Sequence, residues 1–475
     1  MYFQQFYLTC LAQASYLIGS EGEAVVVDPQ RDVDLYLDEA KAQGLEIKHV
    51  IETHLHADFV SGHRELALRI GAKIYLGAAA GAKFDHVAVH DGDELAVGKL
   101  RLRFLETPGH TPESICILLT DTETATDVVG RPSKVLTGDT LFIGDVGRPD
   151  LSPTHSPREL AGLLYDSLRH KLMTLPDGVE VYPAHGAGSL CGKNLSPERW
   201  STIGQQKQFN YALQEMSRDA FVNMLTAELP DRPEYFAEDA AINRDGPALL
   251  AESAATTALT PHAARTKLEA GAVALDTRPA SLFGAGHLPG SINIGLGGQY
   301  ATWAATVIGL HKILVIVAED DEKVEESTLR LSRVGIENVA GYLQGGVEAW
   351  EAAGLPLETT PQVSVHQLQE HQGEWQVLDV RRIGEFRASH LPGAIHQPLD
   401  TLSKALEAGE LPGVDRNKPV AVHCKGGYRS SAACGLLQAH GYREVYNVVG
   451  GLDAWTASGL PVEVAAESCS KPLCA

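Results

Sequence analysis

An internal repeat constrains the fold of this chain more than any other feature of its sequence. Leu275-Asp276-Thr277-Arg278-Pro279, followed by Gly286-His287-Leu288-Pro289-Gly290, recurs as Leu378-Asp379-Val380-Arg381-Arg382, followed by Ser389-His390-Leu391-Pro392-Gly393. Asp276 and Asp379 are 103 residues apart, as are His287 and His390. Gly345-Gly346-Val347-Glu348-Ala349-Trp350 returns as Gly450-Gly451-Leu452-Asp453-Ala454-Trp455. Similarity of this kind means one structural unit built twice. In both copies short β-branched runs, such as 312–317 and 419–423, precede helical stretches. That order predicts βα units on a parallel sheet.

The first half follows another rhythm. Short candidate strands fall at 24–28, 48–53, 73–76, 100–106, 114–120, 134–138 and 180–183, and helical patterns at 32–43, 63–70, 157–172 and 197–227. An Ala/Pro/Asp-rich stretch, 230–261, reads as the linker region. The expected division is 1–240, a linker 241–261, repeat domains 262–358 and 361–465, and a tail 466–475. The 475 residues carry a formal charge of −22, which argues against nucleic acid and anionic membrane surfaces as partners. No apolar run approaches the ~20 residues of a membrane span. Seven scattered cysteines do not form a disulfide framework. A cytoplasmic homo-oligomer is therefore expected.

Polar, metal-capable residues follow several of the apolar runs in the first half. Thr53-His54-Leu55-His56-Ala57-Asp58 comes first, then His110 in Pro108-Gly109-His110-Thr111, Asp139 in Gly138-Asp139-Thr140 and His185 in Ala184-His185-Gly186. Strand ends are where ligands to a shared metal are held. The spacing resembles the metallo-β-lactamase superfamily, which implies an αββα sandwich with a metal at one edge. Hydrolases of that superfamily continue the first motif as His-x-His-x-Asp-His, whereas this chain has Phe59 at the last position. A phenyl ring cannot coordinate, so a two-metal clamp loses a ligand. Two histidines and one carboxylate still suffice for mononuclear iron.

The run Gly138-Asp139-Thr140-Leu141-Phe142 to Gly147-Arg148-Pro149-Asp150 resembles the persulfide dioxygenase branch, a relative of glyoxalase II. That resemblance implies one Fe(2+) per chain, held by His54, His110 and Asp139. It leaves His56, Asp58 and His185 to support the ligands and organise water, and puts Arg148 near the substrate. The implied substrates are a low-molecular-weight thiol persulfide and O2, and the products are sulfite and the thiol. Cys191, between Gly188 and Lys193 and six residues past His185, is expected near the metal mouth, partly accessible, as a persulfide carrier.

In the second repeat, His423-Cys424-Lys425-Gly426-Gly427-Tyr428-Arg429-Ser430 links an apolar strand to a helical run. A Gly-rich loop there can turn backbone N–H groups inward as an anion nest, which stabilises a thiolate nucleophile. Lys425 and Arg429 add positive charge for a sulfonate or persulfide. The loop is similar to that of rhodanese sulfurtransferases, with Cys424 as the sulfur acceptor. This implies thiosulfate, sulfite and thiol chemistry and two rhodanese-like α/β domains. Phosphatases of this fold tend to a loop one residue longer. In the first repeat the corresponding segment is Ala318-Glu319-Asp320-Asp321-Glu322-Lys323, whose carboxylates would repel a thiolate. That copy is expected to be catalytically silent. His287 and Trp350 recur with the fold and read as structural.

Two alternatives remain at this level. One is a glyoxalase II-like thioester hydrolase with two metals, fused to a sulfurtransferase. The other is a sulfur-relay scaffold that oxidises nothing. Cys469 and Cys474, in the tail, read as tolerated thiols.

Overall fold

A computed structural model describes residues 1–123, 132–227, 229, 232–250, 255–409 and 411–464. Cys469 and Cys474 lie outside the described residues. Two compact units are resolved: Met1–Ala254 with Ser332–Gly335, and Ala255–Leu331 with Ile336–Ala475.

The first unit is built on two six-stranded sheets. One runs in chain order through β1 (Tyr2–Leu8), β2 (Gln13–Ser20), β3 (Glu23–Val27), β4 (Glu46–Ile51), β5 (Lys73–Gly77) and β6 (Val87–Val89). The other contains β7 (Glu94–Val97), β8 (Leu100–Glu106), β9 (Ile115–Asp121), β10 (Lys134–Gly138), β11 (Glu180–Pro183) and β12 (Ser201–Thr202), paired in sequence order. Strand residues that face opposite ways supply separate apolar layers. Tyr16, Ile18, Val25 and Val27 meet Leu102, Phe104, Ile117 and Leu119 between the sheets. Leu17, Ala24 and Val26 face outward onto Tyr36 and Ala40 of α1 (Asp34–Ala42) and Leu66 of α2 (His63–Ile70). Cys116, Leu118 and Val135 face the other way, onto Leu164 of α3 (Pro157–Ser167) and Phe221 of α5 (Arg218–Thr226). Helix, sheet, sheet, helix is the expected sandwich.

The boundaries differ in instructive places. The helical pattern over 197–227 is not one helix. It breaks after α4 (Ile203–Phe209) because Asn210 turns extended, and its side-chain oxygen accepts from Ala212 N while its amide donates to the Asp145 carbonyl. Asn competes for backbone groups in this way and interrupts helices. The segment expected as linker begins inside α6 (Tyr235–Asp245), which buries Tyr235, Phe236, Asp239 and Asn243. Its buried face mixes two aromatic rings with Asp239 and Asn243, so hydrophobic patterning gave little sign of the helix.

The second unit contains two five-stranded sheets of the same topology. Strands β13 (Ala258–Leu259), β14 (Val273–Asp276), β15 (Ile292–Asn293), β16 (Leu314–Val317) and β17 (Val339–Leu343) lie in the order 13-17-16-14-15. Strands β18 (Gln362–Val363), β19 (Gln376–Asp379), β20 (Ile395–His396), β21 (Val420–His423) and β22 (Val445–Val448) lie in the order 18-22-21-19-20. All the pairings are parallel. The repeat motifs do the same work twice. Arg278 forks onto Asp276 and reaches Gly286 O, as Arg381 does to Asp379 and Ser389 O. His287 stacks on Phe283 and His390 on Phe386. Trp350 and Trp455 each donate to a proline carbonyl six residues on. His287 and Trp350 are therefore structural.

Candidate metal centre and thiol loop

The segments that follow β4, β8 and β10 bring distant candidate ligands to one edge of the first unit. His54, His110 and Asp139 offer three buried donor atoms within 4.8 Å of one another. Asp139 Oδ2 is 3.8 Å from His54 Nε2 and 3.5 Å from His110 Nε2. Both Nε2 atoms are buried without a hydrogen-bond partner. The opposite ring nitrogens explain why. His110 Nδ1 donates to the Arg148 carbonyl at 2.8 Å, which leaves Nε2 with its lone pair inward. Thr53 spends its hydroxyl proton on Asp28 Oδ2 at 2.9 Å, so its oxygen accepts from His54 Nδ1 at 3.0 Å and frees that Nε2 too. Asp28 also accepts from Thr53 N and sits at a left-handed φ of 50°, a strained conformation kept by these bonds. Gly147 is required beside His110: a Cβ there would lie 2.8 Å from His110 Nδ1 and 2.0 Å from Asp139 O.

Electrostatics favour a metal over protons here. Burial lowers His54 far below the usual imidazole range and lowers His110, so both rings are neutral. Burial alone would raise Asp139, but His185, 2.8 Å from it and itself raised well above the usual imidazole range, holds its carboxylate far below the usual range. Neutral imidazoles and an ionised carboxylate are the states that ligate.

The remaining predicted residues separate into two neighbouring clusters. His56 does not face the triad's donor atoms. Its Nε2 lies 3.1 Å from Asp28 Oδ1 and 3.3 Å from Glu52 Oε2, and these carboxylates outweigh burial and raise it above neutrality. His185 is held between Asp139, at 2.8 Å from Nδ1, and Asp58, at 2.9 Å from Nε2. Phe59 is buried and packs on His56, with ring centroids 4.3 Å apart, and lies 6.4 Å from the His185 ring. An apolar ring thus stands beside the His56 and His185 rings.

Cys191 departs from its expected accessibility. It is 1% exposed, with its sulfur within 4.8 Å of donor atoms of Asp58 and His185. Burial first, then Asp58 and Asp139, push the thiol well above its ordinary range. The glycine-flanked segment folds inward because Arg148 N binds Cys191 O and Asp145 accepts from Lys193 N and Asn194 N. Arg148 itself is 3% exposed; its guanidinium forks onto Asp150 and donates to Leu190 O. It pins the Asp139–Asp150 turn to the Cys191 segment.

Asn243 of α6 was invisible to motif reading. Its amide donates to His56 O and Phe59 O at 2.8 Å, and its oxygen accepts from Ser61 N at 2.9 Å. It lies 187 residues from His56, so no local pattern signals it.

In the second unit, Cys424 directly follows β21 and its loop leads into the helix Tyr428–Ala439. Gly427 N donates to Cys424 Sγ at 3.1 Å and Ser430 Oγ lies 3.6 Å from it. Gly427 has a φ of 96°, which turns its N–H onto the sulfur and favours glycine. Lys425 is exposed. Arg429 forks onto Glu385 at 2.7 and 2.8 Å, so much of its charge is neutralised beside the sulfur. In the first repeat, Asp320 accepts from Lys323 N at 2.8 Å at the start of the helix Asp321–Ser332.

These features define a class: a metal-capable αββα unit joined to tandem parallel-sheet domains, one carrying a nested thiol. The chain belongs to the metallo-beta-lactamase superfamily, whose description matches residues 8–185, and its C-terminal half consists of two rhodanese-like domains, matched at 260–353 and 364–458. The mitochondrial persulfide dioxygenase ETHE1 of Bos taurus is 33% identical over 193 residues, covering 39% of this chain and 68% of that protein. A hydroxyacylglutathione hydrolase of Polaromonas sp. is 30% identical over 247 residues, covering 46% of this chain and 88% of that protein. A metallo-beta-lactamase crystal structure from Staphylococcus aureus subsp. aureus COL superposes with a TM-score of 0.65 at 34% identity, covering 72% of this chain and 98% of that one. No helix among the described residues is long and apolar enough to cross a membrane.

Proposed function

We propose that this chain is a non-haem iron persulfide dioxygenase fused to a sulfurtransferase, acting in sulfide oxidation. The observation that carries the reading is the pair of orphaned Nε2 atoms converging with Asp139, beside Phe59 where a hydrolase would place another histidine. His54, His110 and Asp139 would hold a single ferrous ion, which would supply the redox chemistry between a persulfide sulfur and O2. His185, between Asp139 and Asp58, orients the carboxylate and holds a proton at that edge. Arg148 positions the substrate side through the turn it pins, and buried Cys191 adjoins it. Thiol persulfide, O2 and water give thiol, sulfite and two protons; the sulfane sulfur loses four electrons and O2 gains them.

Cys424 then acts as the carrier, with Lys425 and Arg429 beside it. Sulfite attacks the outer sulfur of a Cys424 persulfide, a new S–S bond forms, and Cys424 leaves as thiolate with release of thiosulfate. The reverse sequence loads Cys424 from thiosulfate. The functional division proposed is 1–240, 241–261, 262–358 and 361–465.

The test is anaerobic purification followed by metal analysis and O2 uptake with a thiol persulfide. About one iron per chain, with sulfite formed per O2 consumed, is the expected result. Two metals per chain and thioester hydrolysis without O2 would establish the hydrolase reading instead.

A further inference from the structure

Helix α6 brings a second polar side chain to the metal loop besides Asn243. Asp239 lies one turn before Asn243, and residues four apart share a helix face. From that face Asn243 holds His56 O and Phe59 O, which sets Asp239 beside the same loop. Asp239 is 0% exposed, and neither of its carboxyl oxygens has a hydrogen-bond partner among the described residues. Asp58 exerts the larger electrostatic influence on it, and Glu238, its neighbour on α6, the smaller. Asp58 meets His185 Nε2 at 2.9 Å through Oδ2, while its Oδ1 is buried and unpartnered. The Cys191 sulfur also faces Asp58, and His110 feels its charge.

Two buried aspartates therefore stand in opposite surroundings. Asp139 has the His185 ring 2.8 Å away as its counter-charge. The charged groups that act on Asp239 are both carboxylates. A carboxyl buried without a counter-ion neutralises instead of ionising. Burial first, then Asp58, push Asp239 well above the usual carboxylate range. Once neutral, the side chain changes its chemistry, because it gains one O–H donor. Asp58 Oδ1 is an orphaned acceptor on the loop that Asp239 faces. Two ionised carboxylates repel, whereas a neutral and an ionised one form a strong charge-assisted bond.

We propose that Asp239 is a positioning residue of the oxidation centre: a neutral carboxyl that donates to Asp58 Oδ1, directly or across one water, and fixes Asp58 against His185. This rests on the reading of the first unit as a persulfide oxidation site. Asp239 donates to Asp58, and His185 donates from Nε2 to Asp58 and from Nδ1 to Asp139. Each carboxylate has its donor, and no proton changes hands. Removing the Asp239 O–H frees Asp58 to move, which loosens His185 and with it the orientation of Asp139. Outer partners of a metal ligand are worth about 10–100-fold in metal affinity or activity.

The experiment uses the full iron-loaded chain. Without O2 and near neutral pH, its infrared difference spectrum against Asp239→Asn is expected to show one protonated-carboxyl band that the variant lacks. Iron affinity is read by competition with a ferrous chelator, and kcat by O2 uptake with glutathione persulfide. Asp239→Asn keeps a donor on a neutral side chain of the same shape and should stay within about twofold on both. Asp239→Leu, of similar bulk but without a donor, should lower both about tenfold, with KM within about twofold. A missing band, or equal losses in the two variants, would overturn the proposal, as would a leucine variant that keeps its iron and its rate. Should Asp239→Leu fold poorly, the band and the asparagine variant decide. If the unsubstituted iron-loaded chain consumes no O2, the oxidation reading itself falls. O2 uptake without the band sinks this inference alone.

Discussion

Replacing Asn243 by alanine tests how far the metal loop depends on a helix remote in sequence. The side chain is 1% exposed and satisfies three backbone groups: His56 O, Phe59 O and Ser61 N. Alanine leaves all three buried without those partners. Each unsatisfied group costs about 1–3 kcal/mol. Taking the low end, since a loop relaxes more readily than a strand, gives about 3 kcal/mol for the three. For a unit the size of Met1–Ala254, that corresponds to a fall in melting temperature of roughly 6–12 °C. The same loop carries His54, so iron affinity should also fall, by about 10–100-fold as for other groups that orient a ligand. The assay pairs thermal unfolding with a competition against a ferrous chelator. Asn243→Asp, which retains an acceptor for Ser61 N and loses both donors, should fall between the two. A change below about 1 kcal/mol with unchanged iron retention would refute the argument that α6 braces the metal loop.

Three further outcomes follow from the same geometry. Phe59→His, which restores an imidazole beside Asp58 and His185, should raise metal stoichiometry toward two per chain and depress persulfide oxidation, both measurable by metal analysis and O2 uptake. Cys424→Ser should leave sulfite formation intact while abolishing thiosulfate turnover, and an unchanged product ratio would disconnect the two chemistries. His63 is buried and held down to about 3, burial being the main cause, so its folded state stays neutral where the unfolded chain protonates near 6.5. Its contribution is complete above pH 6.5 and is lost as pH falls toward 3, at about 1.4 kcal/mol per pH unit. His63→Phe should flatten that slope in urea unfolding between pH 6 and 4; an unchanged slope would remove His63 as its source.

Much of this was legible in the chain itself. The duplicated Asp-x-Arg and His-Leu-Pro-Gly segments announced two copies because each motif closes a local turn: Arg381 binds Asp379 two residues away and Ser389 O eight residues away. Motifs whose partners are close in sequence keep their meaning before folding. The candidate donor set was legible for a related reason. His54, His110 and Asp139 each follow an apolar strand, and strand ends converge once strands pair. Phe59 needed no structure either, since a phenyl ring cannot bind a metal wherever it lies.

What the tertiary structure decided concerns burial and partners far along the chain. Glycines around Cys191 suggested an open loop, yet Arg148 and Asp145 draw it inward and leave the thiol protonated. Arg429 looked like a free cation until Glu385, 44 residues earlier, was found on it. The linker composition hid α6, because its value lies in the single amide that Asn243 presents to a loop 184 residues away. The first repeat has Ala318 and an acidic loop where its sister has Cys424, but only packing put Gln299 and Trp303 against that cysteine. Sequence records which groups are available and their local order. Desolvation and long-range pairing, which set charge state and accessibility, arise only when the chain closes on itself.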